Sequence, residues 1–284
     1  MALFQTNFIS YTLVREVQMN VIVPTITCPE SMGFGLPEGQ KPSHAGKAPY
    51  PVLYLLHGFA NNGTVWGRYT SLERYAEERQ IAVVTISAEN KGYRNQPAAS
   101  NTGLGLMGSG DRHFDFLAYE VPEFVKANFH VSDRPEDTYI AGLSMGSMGS
   151  LLHSLSNPQN FRAVGAFSGP MLDMSKSIGL TPEQRAALTE ADWDGMVSEE
   201  AKELVAKAKA EGKKLPDYYI ATGTQDNPQG SAAFARFLEK EGAKVTTNFT
   251  RNYGHEWQFW DESIKEFLDW LPRTDAYAGT LRRI

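Results

Sequence analysis

The stretch TYIAGLSMGSMGSLL, residues 138–152, reads as an apolar strand, a sharp turn and a helix. Its centre, GLSMG, is a G-x-S-x-G pentapeptide with Ser144 at the tip. Such a turn projects the Ser hydroxyl above a sheet and needs small flanking residues, which Gly142 and Gly146 supply. The pattern predicts a nucleophile elbow in which the backbone N–H of Met145, at the positive end of the helix, stabilises an oxyanion. The pentapeptide alone is equally compatible with a Gly-rich turn whose Ser caps a helix.

The composition is that of an ordinary globular protein. The chain has 284 residues, of which 42% are hydrophobic and 21% charged, and its net charge is −6. It has no Lys/Arg run longer than a pair, so we expect neither nucleic acid nor an anionic membrane as a partner. An uncharged or cationic small molecule fits better, and the sequence leaves homo-oligomerisation open.

The single cysteine, Cys28, excludes an internal disulfide and any multi-cysteine metal site. Residues 1–7 lack a basic segment followed by an apolar one, so they predict no secretory signal. No apolar run approaches the ~20 residues that a spanning helix needs. The sequence therefore predicts a cytoplasmic protein.

Short apolar runs alternate with helical patterns along the chain. The segment 17–23 alternates in the manner of a half-buried antiparallel strand. The run VLYLL at 52–56 is continuously apolar, which is typical of a parallel strand covered on both faces. Further strands are predicted at 81–86, 137–143, 163–167, 218–221 and 245–250. We therefore expect one α/β domain over residues 1–284, with a mostly parallel central sheet flanked by helices.

Three segments interrupt this alternation. Residues 29–51 are rich in Pro, Gly and Ser and predict a surface loop. The Gly-rich segment 88–112 leaves the carboxyl end of a strand, where ligands bind in such sheets, although a surface loop without function is an equal alternative. Residues 171–215 predict a helical insert that forms either a partial lid or an ordinary surface pair of helices.

Polar residues suited to a hydrolytic site follow several of the predicted strands. His255 follows the last strand and is the best general base for Ser144, although it could merely begin the last helix. Asp226 follows the preceding strand and could orient His255, or simply form an Asx turn. The order Ser, acid, His is that of α/β-hydrolases. The backbone N–H of Phe59, after the 52–56 strand, is the predicted second oxyanion donor, and His57 is interpreted as structural.

Four motifs together resemble the esterase D-like esterases, especially the tributyrin esterases and their feruloyl and acetyl esterase relatives: LHGF at 56–59, AGLSMG at 141–146, GTQD at 223–226, and GHEW at 254–257 with Phe259-Trp260. The resemblance covers about residues 50–271 and implies the α/β-hydrolase fold. It implies a serine carboxylesterase that needs no cofactor or metal and cleaves acetyl, butyryl or feruloyl esters. It supports Ser144, Asp226 and His255 as the triad. Ser147 stands where this branch often has a second Gly.

Three other functions remain open from the sequence. A thioesterase of the S-formylglutathione hydrolase type would share the mechanism, and it would need cations for its anionic substrate, for which Arg94 and Arg112 are candidates. An acyltransferase would use the same triad with an alcohol or sugar as acceptor. A binding protein without catalysis is disfavoured because all three triad candidates are present.

Overall fold

The computed structural model describes residues 1–36, 38–96, 111–177, 180–282 and 284. These residues form an eight-stranded sheet with the order β1-β2-β4-β3-β5-β6-β7-β8. The first two pairings, β1 with β2 and β2 with β4, are antiparallel, and all others are parallel. The strands are β1 (Ala2–Ser10), β2 (Arg15–Val23), β3 (Val52–Leu56), β4 (Ala82–Ile86), β5 (Thr138–Leu143), β6 (Ala163–Phe167), β7 (Asp217–Ala221) and β8 (Val245–Asn248).

Burial follows the apolar pattern of the strands. Every residue of β3 to β7 is buried, whereas β1 and β8 lie at the two edges and are partly exposed. Strands covered on both faces are uniformly apolar, because neither face of their pleat meets water. The mostly parallel α/β sheet expected from the sequence is therefore confirmed.

Helices cover both faces of this sheet. Buried Leu151, Val205 and Phe234 pack on one face, and Tyr75 and Phe267 on the other. The helices are α1 (Cys28–Ser31), α2 (Val65–Tyr69), α3 (Leu72–Arg79), α4 (His113–Asp115), α5 (Val121–Asn128), α6 (Met145–Ser156), α7 (Pro182–Ala186), α8 (Glu190–Asp194), α9 (Glu199–Ala210), α10 (Pro228–Lys240) and α11 (Trp257–Trp270).

One local prediction needs correction. The expected loop at 29–51 contains the end of α1, a one-turn helix stabilised by a capping box between Thr27 and Glu30. Two further features concern other helices. A π-helical segment, Phe116–Glu120, lies between α4 and α5. The Asn227 side chain accepts from the Gly230 N–H and caps the start of α10. Side-chain caps, rather than apolar periodicity, therefore set the starts of α1 and α10.

The insert at 171–215 is anchored on the core. Its helix α9 buries Ala201, Val205 and Ala208 against the sheet domain. Trp193 and Met196 pack with Ala233 of α10 in a small separate cluster. The insert is therefore seated on the domain by its own apolar side chains.

Within the described part of the chain, no helix combines the length and the apolar character needed to cross a bilayer.

Candidate active site

The turn between β5 and α6 holds Ser144 in a strained backbone conformation. Its φ is 52° and its ψ is −115°, in a region that costs a non-glycine residue about 1–3 kcal/mol. A Cβ on Gly142 would lie 2.4 Å from the Gly146 carbonyl carbon, and one on Gly146 would lie 2.4 Å from the Leu56 oxygen. Both glycines are needed because backbone passes directly beside them. The strand, turn and helix have the geometry of a nucleophile elbow.

Three polar side chains meet above this turn. His255 Nε2 lies 3.0 Å from Ser144 Oγ, and His255 Nδ1 lies 2.8 Å from Asp226 Oδ2. An ionised carboxylate only accepts hydrogen bonds, so the Nδ1–H donates to Asp226 and the bare Nε2 accepts from the Ser144 hydroxyl. This is the arrangement that a general base needs in order to take a proton from a hydroxyl.

The loops that carry Asp226 and His255 are bonded to each other. Thr224 N–H donates to the Arg251 carbonyl at 2.9 Å, and Gln225 N–H donates to the Tyr253 carbonyl at 3.0 Å. A Cβ on Gly223 would lie 2.1 Å from the Tyr253 oxygen, so the two backbones touch. These contacts fix the acid and the histidine relative to each other although they are 29 positions apart.

A third loop approaches Ser144 from the end of β3. A Cβ on Gly58 would lie 2.4 Å from Leu143 Cδ1 and 3.5 Å from Ser144 Cβ, so this backbone runs beside the serine. The Phe59 side chain is 66% exposed. Among the described residues, neither the Phe59 N–H nor the Met145 N–H donates a hydrogen bond to another protein group. Both N–H groups are thus available to donate a hydrogen bond to a substrate oxygen.

The buried His57 fixes this third loop. Its Nδ1–H donates to the Gly58 carbonyl at 2.7 Å, and its Nε2 accepts from the Ala88 N–H at 3.0 Å. Burial lowers the pKa of His57, which keeps the ring neutral for this pair of bonds. Asn90 adds a contact that the sequence did not indicate, because its Oδ1 accepts from the Ala60 N–H at 2.6 Å.

Four other histidine and aspartate side chains have different partners. Buried His153 donates from Nε2 to the Tyr93 carbonyl, and buried His113 lies against Arg15. Asp217 pairs with Arg162, and Asp261 accepts from the Ser71 N–H. None of these groups contacts Ser144 in the described structure.

The two arginines considered for an anionic substrate are already paired. Arg94 donates two hydrogen bonds to Glu200 on α9, at 2.5 and 2.6 Å. Arg112 pairs with Asp115 at 2.6 Å. Both guanidinium groups therefore already have an acidic partner within the protein, and the Arg94 pair ties the segment after β4 to the insert.

A groove of about 390 Å³ separates the insert from the Asp226 loop. Leu188 and Trp193 line it from the insert, and Gln225 and Asp226 line it from the opposite side. A second cavity, of about 340 Å³ next to Tyr54 and Thr138, lies toward the amino ends of the strands and away from Ser144. In the described part of the chain, no cluster of His, Cys, Asp and Glu side chains is arranged to hold a metal ion.

The sequence and the fold both have known relatives. A family model described as "Putative esterase" matches residues 25–272. An acetyl esterase of Caldicellulosiruptor saccharolyticus is 26% identical over 285 residues, which cover 96% of this chain and 99% of the relative.

Two solved structures from Staphylococcus aureus are similar over almost the whole chain. The substrate-bound fluorophosphonate-binding serine hydrolase FphF has a TM-score of 0.73 at 25% identity, covering 96% of this chain and 99% of that one. The S-formylglutathione hydrolase FrmB has a TM-score of 0.71 at 24% identity, covering 95% and 98%. The chain therefore belongs to the esterase family whose model matches residues 25–272, and it is a serine carboxylic ester hydrolase of the α/β-hydrolase fold.

Proposed function

We propose that the protein hydrolyses short-chain acyl and aryl-acyl esters through a triad of Ser144, His255 and Asp226. The observation that carries the proposal is the continuous chain of hydrogen bonds from Ser144 Oγ through the imidazole to Asp226, at 3.0 and 2.8 Å. The similarity to an acetyl esterase supports a short acyl group. The enzyme is proposed to need no cofactor.

The acylation step uses the ester carbonyl as electrophile. Ser144 Oγ attacks the carbonyl carbon while His255 Nε2 takes the hydroxyl proton, and Asp226 stabilises the imidazolium that forms. The negative charge moves to the carbonyl oxygen, which we place between the Phe59 and Met145 N–H groups. Collapse of the tetrahedral intermediate breaks the C–O bond, and His255 gives its proton to the leaving alcohol.

The deacylation step repeats this chemistry with water. His255 takes a proton from a water molecule, which attacks the acyl-enzyme carbonyl on Ser144. The second tetrahedral intermediate releases the carboxylic acid and returns the proton from His255 to Ser144. The 46% exposure of His255 is consistent with access of water to the base.

The insert at 171–215 is proposed to act as a partial lid on a single α/β-hydrolase domain that spans 1–284. Its side chains Leu188 and Trp193 form one wall of the groove next to Asp226. The acyl or alcohol part of an ester would extend along this wall, so the insert would limit its length.

The proposal is tested with a series of p-nitrophenyl esters from acetate to octanoate, together with methyl ferulate. Wild-type enzyme should cleave the short esters. Ser144→Ala should keep only the residual rate, ~10³–10⁴-fold above the uncatalysed reaction in water, that binding and an oxyanion hole provide. Ser156→Ala, at the other end of α6, serves as the control and should stay active. Activity that survives in Ser144→Ala would show that another nucleophile acts.

The thioesterase alternative needs its own substrate. At 24% identity, the similarity to FrmB supports only a shared fold. Arg94 and Arg112, which would bind the anionic substrate, are already paired with acidic side chains. We therefore expect p-nitrophenyl acetate to have a higher kcat/KM than an S-acyl glutathione. The reverse order would favour the thioesterase, and ester formation with an added alcohol would favour an acyltransferase.

A further inference from the structure

Trp260, in the first turn of α11, forms a wall beside the imidazole of His255. Its ring is perpendicular to the imidazole at 89°, with the two centroids 5.0 Å apart. Trp260 is only 6% exposed, whereas the His255 side chain is 46% exposed. The imidazole thus has a rigid buried ring on one side and solvent near it on another.

A hydrogen bond fixes the orientation of the Trp260 ring. Its Nε1–H donates to Ser168 Oγ at 3.2 Å. Ser168 follows β6 and has a φ of +56°, and its backbone N–H donates to the Ala221 carbonyl at 2.9 Å. The acceptor therefore belongs to a strained and tightly held turn, which leaves the indole little freedom to rotate.

The turn that holds the indole also touches the nucleophile. A Cβ on Gly169 would lie 2.3 Å from the Ser144 carbonyl oxygen, and the Ser144 N–H donates to the Phe167 carbonyl at 2.8 Å. Residues 167–169 therefore contact the Ser144 backbone while Ser168 holds Trp260. One short segment sets the distance between the serine and the wall beside the histidine.

A second tryptophan packs on Trp260. Trp257 packs edge-to-face on Trp260, with centroids 5.2 Å apart, and on buried Trp66, with centroids 5.5 Å apart. The Trp66 Nε1–H donates to the Leu56 carbonyl at 3.0 Å. Edge-to-face pairs of this kind have a preferred geometry, so the three rings form an aromatic cluster that holds Trp260 in place.

We propose that Trp260 is a positioning residue that holds His255 in the orientation in which Nε2 faces Ser144 and Nδ1 faces Asp226. His255 lies in a turn before α11, outside regular secondary structure, and is half-exposed. Its two hydrogen bonds alone leave the ring free to tilt when one of them breaks during turnover. The edge-to-face contact with Trp260 restricts this tilt. The proposal rests on the proposed triad.

The test compares Trp260→Phe and Trp260→Leu in hydrolysis of p-nitrophenyl acetate. Since misplacing a catalytic group by about 1 Å costs ~10²-fold, we expect Trp260→Leu to lower kcat about 100-fold with KM within about 2-fold of wild type. Trp260→Phe keeps an aromatic wall but loses the Ser168 bond, so its kcat should be roughly 10-fold higher than that of Trp260→Leu. Ser168→Ala should resemble Trp260→Phe.

A double mutant separates positioning from a general structural role. If Trp260 acts through His255, Trp260→Leu should have no further effect on the residual activity of His255→Ala, because residues that act as a unit are non-additive. Trp270→Leu is the matched control, since the Trp270 indole lies on the same helix and donates to Thr246 Oγ1 at 3.0 Å. This control should keep its kcat.

The proposal is wrong if the loss appears in KM, if Trp260→Phe is as impaired as Trp260→Leu, or if the two losses add in the double mutant. Thermal unfolding of each variant identifies a variant that fails to fold, and Trp260→Phe then provides the comparison. If the proposed triad itself is wrong, the Ser144→Ala variant will retain activity, and this result distinguishes the two failures.

Discussion

Asp226 is the only protein group in the described structure that accepts a hydrogen bond from His255 Nδ1–H, with an Nδ1–Oδ2 distance of 2.8 Å. A carboxylate there fixes the tautomer and stabilises the imidazolium, whereas an amide can present an N–H and reverse the tautomer. Asp226→Asn should therefore lower kcat about 10⁴-fold, measured with p-nitrophenyl acetate. Asp261→Asn, which alters an acid on α11 that bonds the Ser71 N–H, is the control and should retain activity. Equal activity of the two variants would remove Asp226 from the triad.

Gly146 allows α6 to pass against the end of β3. An added Cβ would lie 2.4 Å from the Leu56 oxygen and 2.7 Å from the His57 oxygen, and neither backbone group can move away cheaply. Gly146→Ala should therefore lower the free energy of unfolding by about 3 kcal/mol or more, measured by urea denaturation.

A glycine in open space provides the comparison for Gly146. Gly67 lies in α2, and the nearest atom to its added Cβ is Glu73 Oε1 at 3.9 Å. Gly67→Ala should leave stability unchanged or raise it by up to about 1 kcal/mol, since Ala loses less backbone entropy in a helix. Similar losses in both variants would show that the close approach at Gly146 is not the cause.

The insert combines an anchoring helix with a groove wall. Because α9 buries Ala201, Val205 and Ala208, replacing the whole segment 171–215 by a linker would uncover the core. The lid proposal is therefore better examined by changing the groove wall, which Leu188 lines while remaining partly exposed.

Leu188→Trp should narrow the groove next to Asp226. We expect the ratio of kcat/KM for octanoate over acetate to fall by about 10-fold, since each excluded methylene loses a part of its ~0.8 kcal/mol of burial. Ala187→Trp, at the adjacent exposed position, is the control. An unchanged chain-length profile in folded Leu188→Trp would contradict the proposal that this wall limits acyl length.

Three buried histidines connect the stability of the whole molecule to pH. Burial lowers the pKa of His57 and His113, and it lowers the pKa of His153 to about 4. In the unfolded chain a histidine has a pKa near ~6.5, so between these values the unfolded state binds more protons than the folded state. The contribution of these histidines to the free energy of unfolding is therefore full above pH ~6.5 and is lost as the pH decreases toward 4.

His153→Gln tests this linkage, because the amide still offers an N–H to the Tyr93 carbonyl but does not titrate. The free energy of unfolding of the wild type should fall by several kcal/mol from pH 7 to pH 4.5, and the variant should lose about 2 kcal/mol less over the same interval. Urea denaturation at both pH values measures the difference. An equal loss in both proteins would mean that His153 does not carry the effect.

Residues close together in sequence were the most predictable. The elbow at 142–146 combines a buried strand, two glycines and a helix within a few residues, so its geometry follows from local sterics. The strand order placed Asp226 and His255 beyond carboxyl ends, and the structure brings His255 to Ser144 and Asp226 to His255. The π-helical segment Phe116–Glu120 was not predicted, because its apolar spacing resembles that of an α-helix.

The amino-acid sequence by itself determined the α/β class, the esterase family and the loops from which the proposed triad comes, since these depend on contiguous patterns. The folded chain alone showed that Arg94 and Arg112 are paired, that Leu188 lines a groove, and that Trp260 bonds Ser168 across 92 positions. Such contacts join side chains from separate elements. Their partners depend on how those elements pack in three dimensions, which local periodicity and motif spacing do not specify.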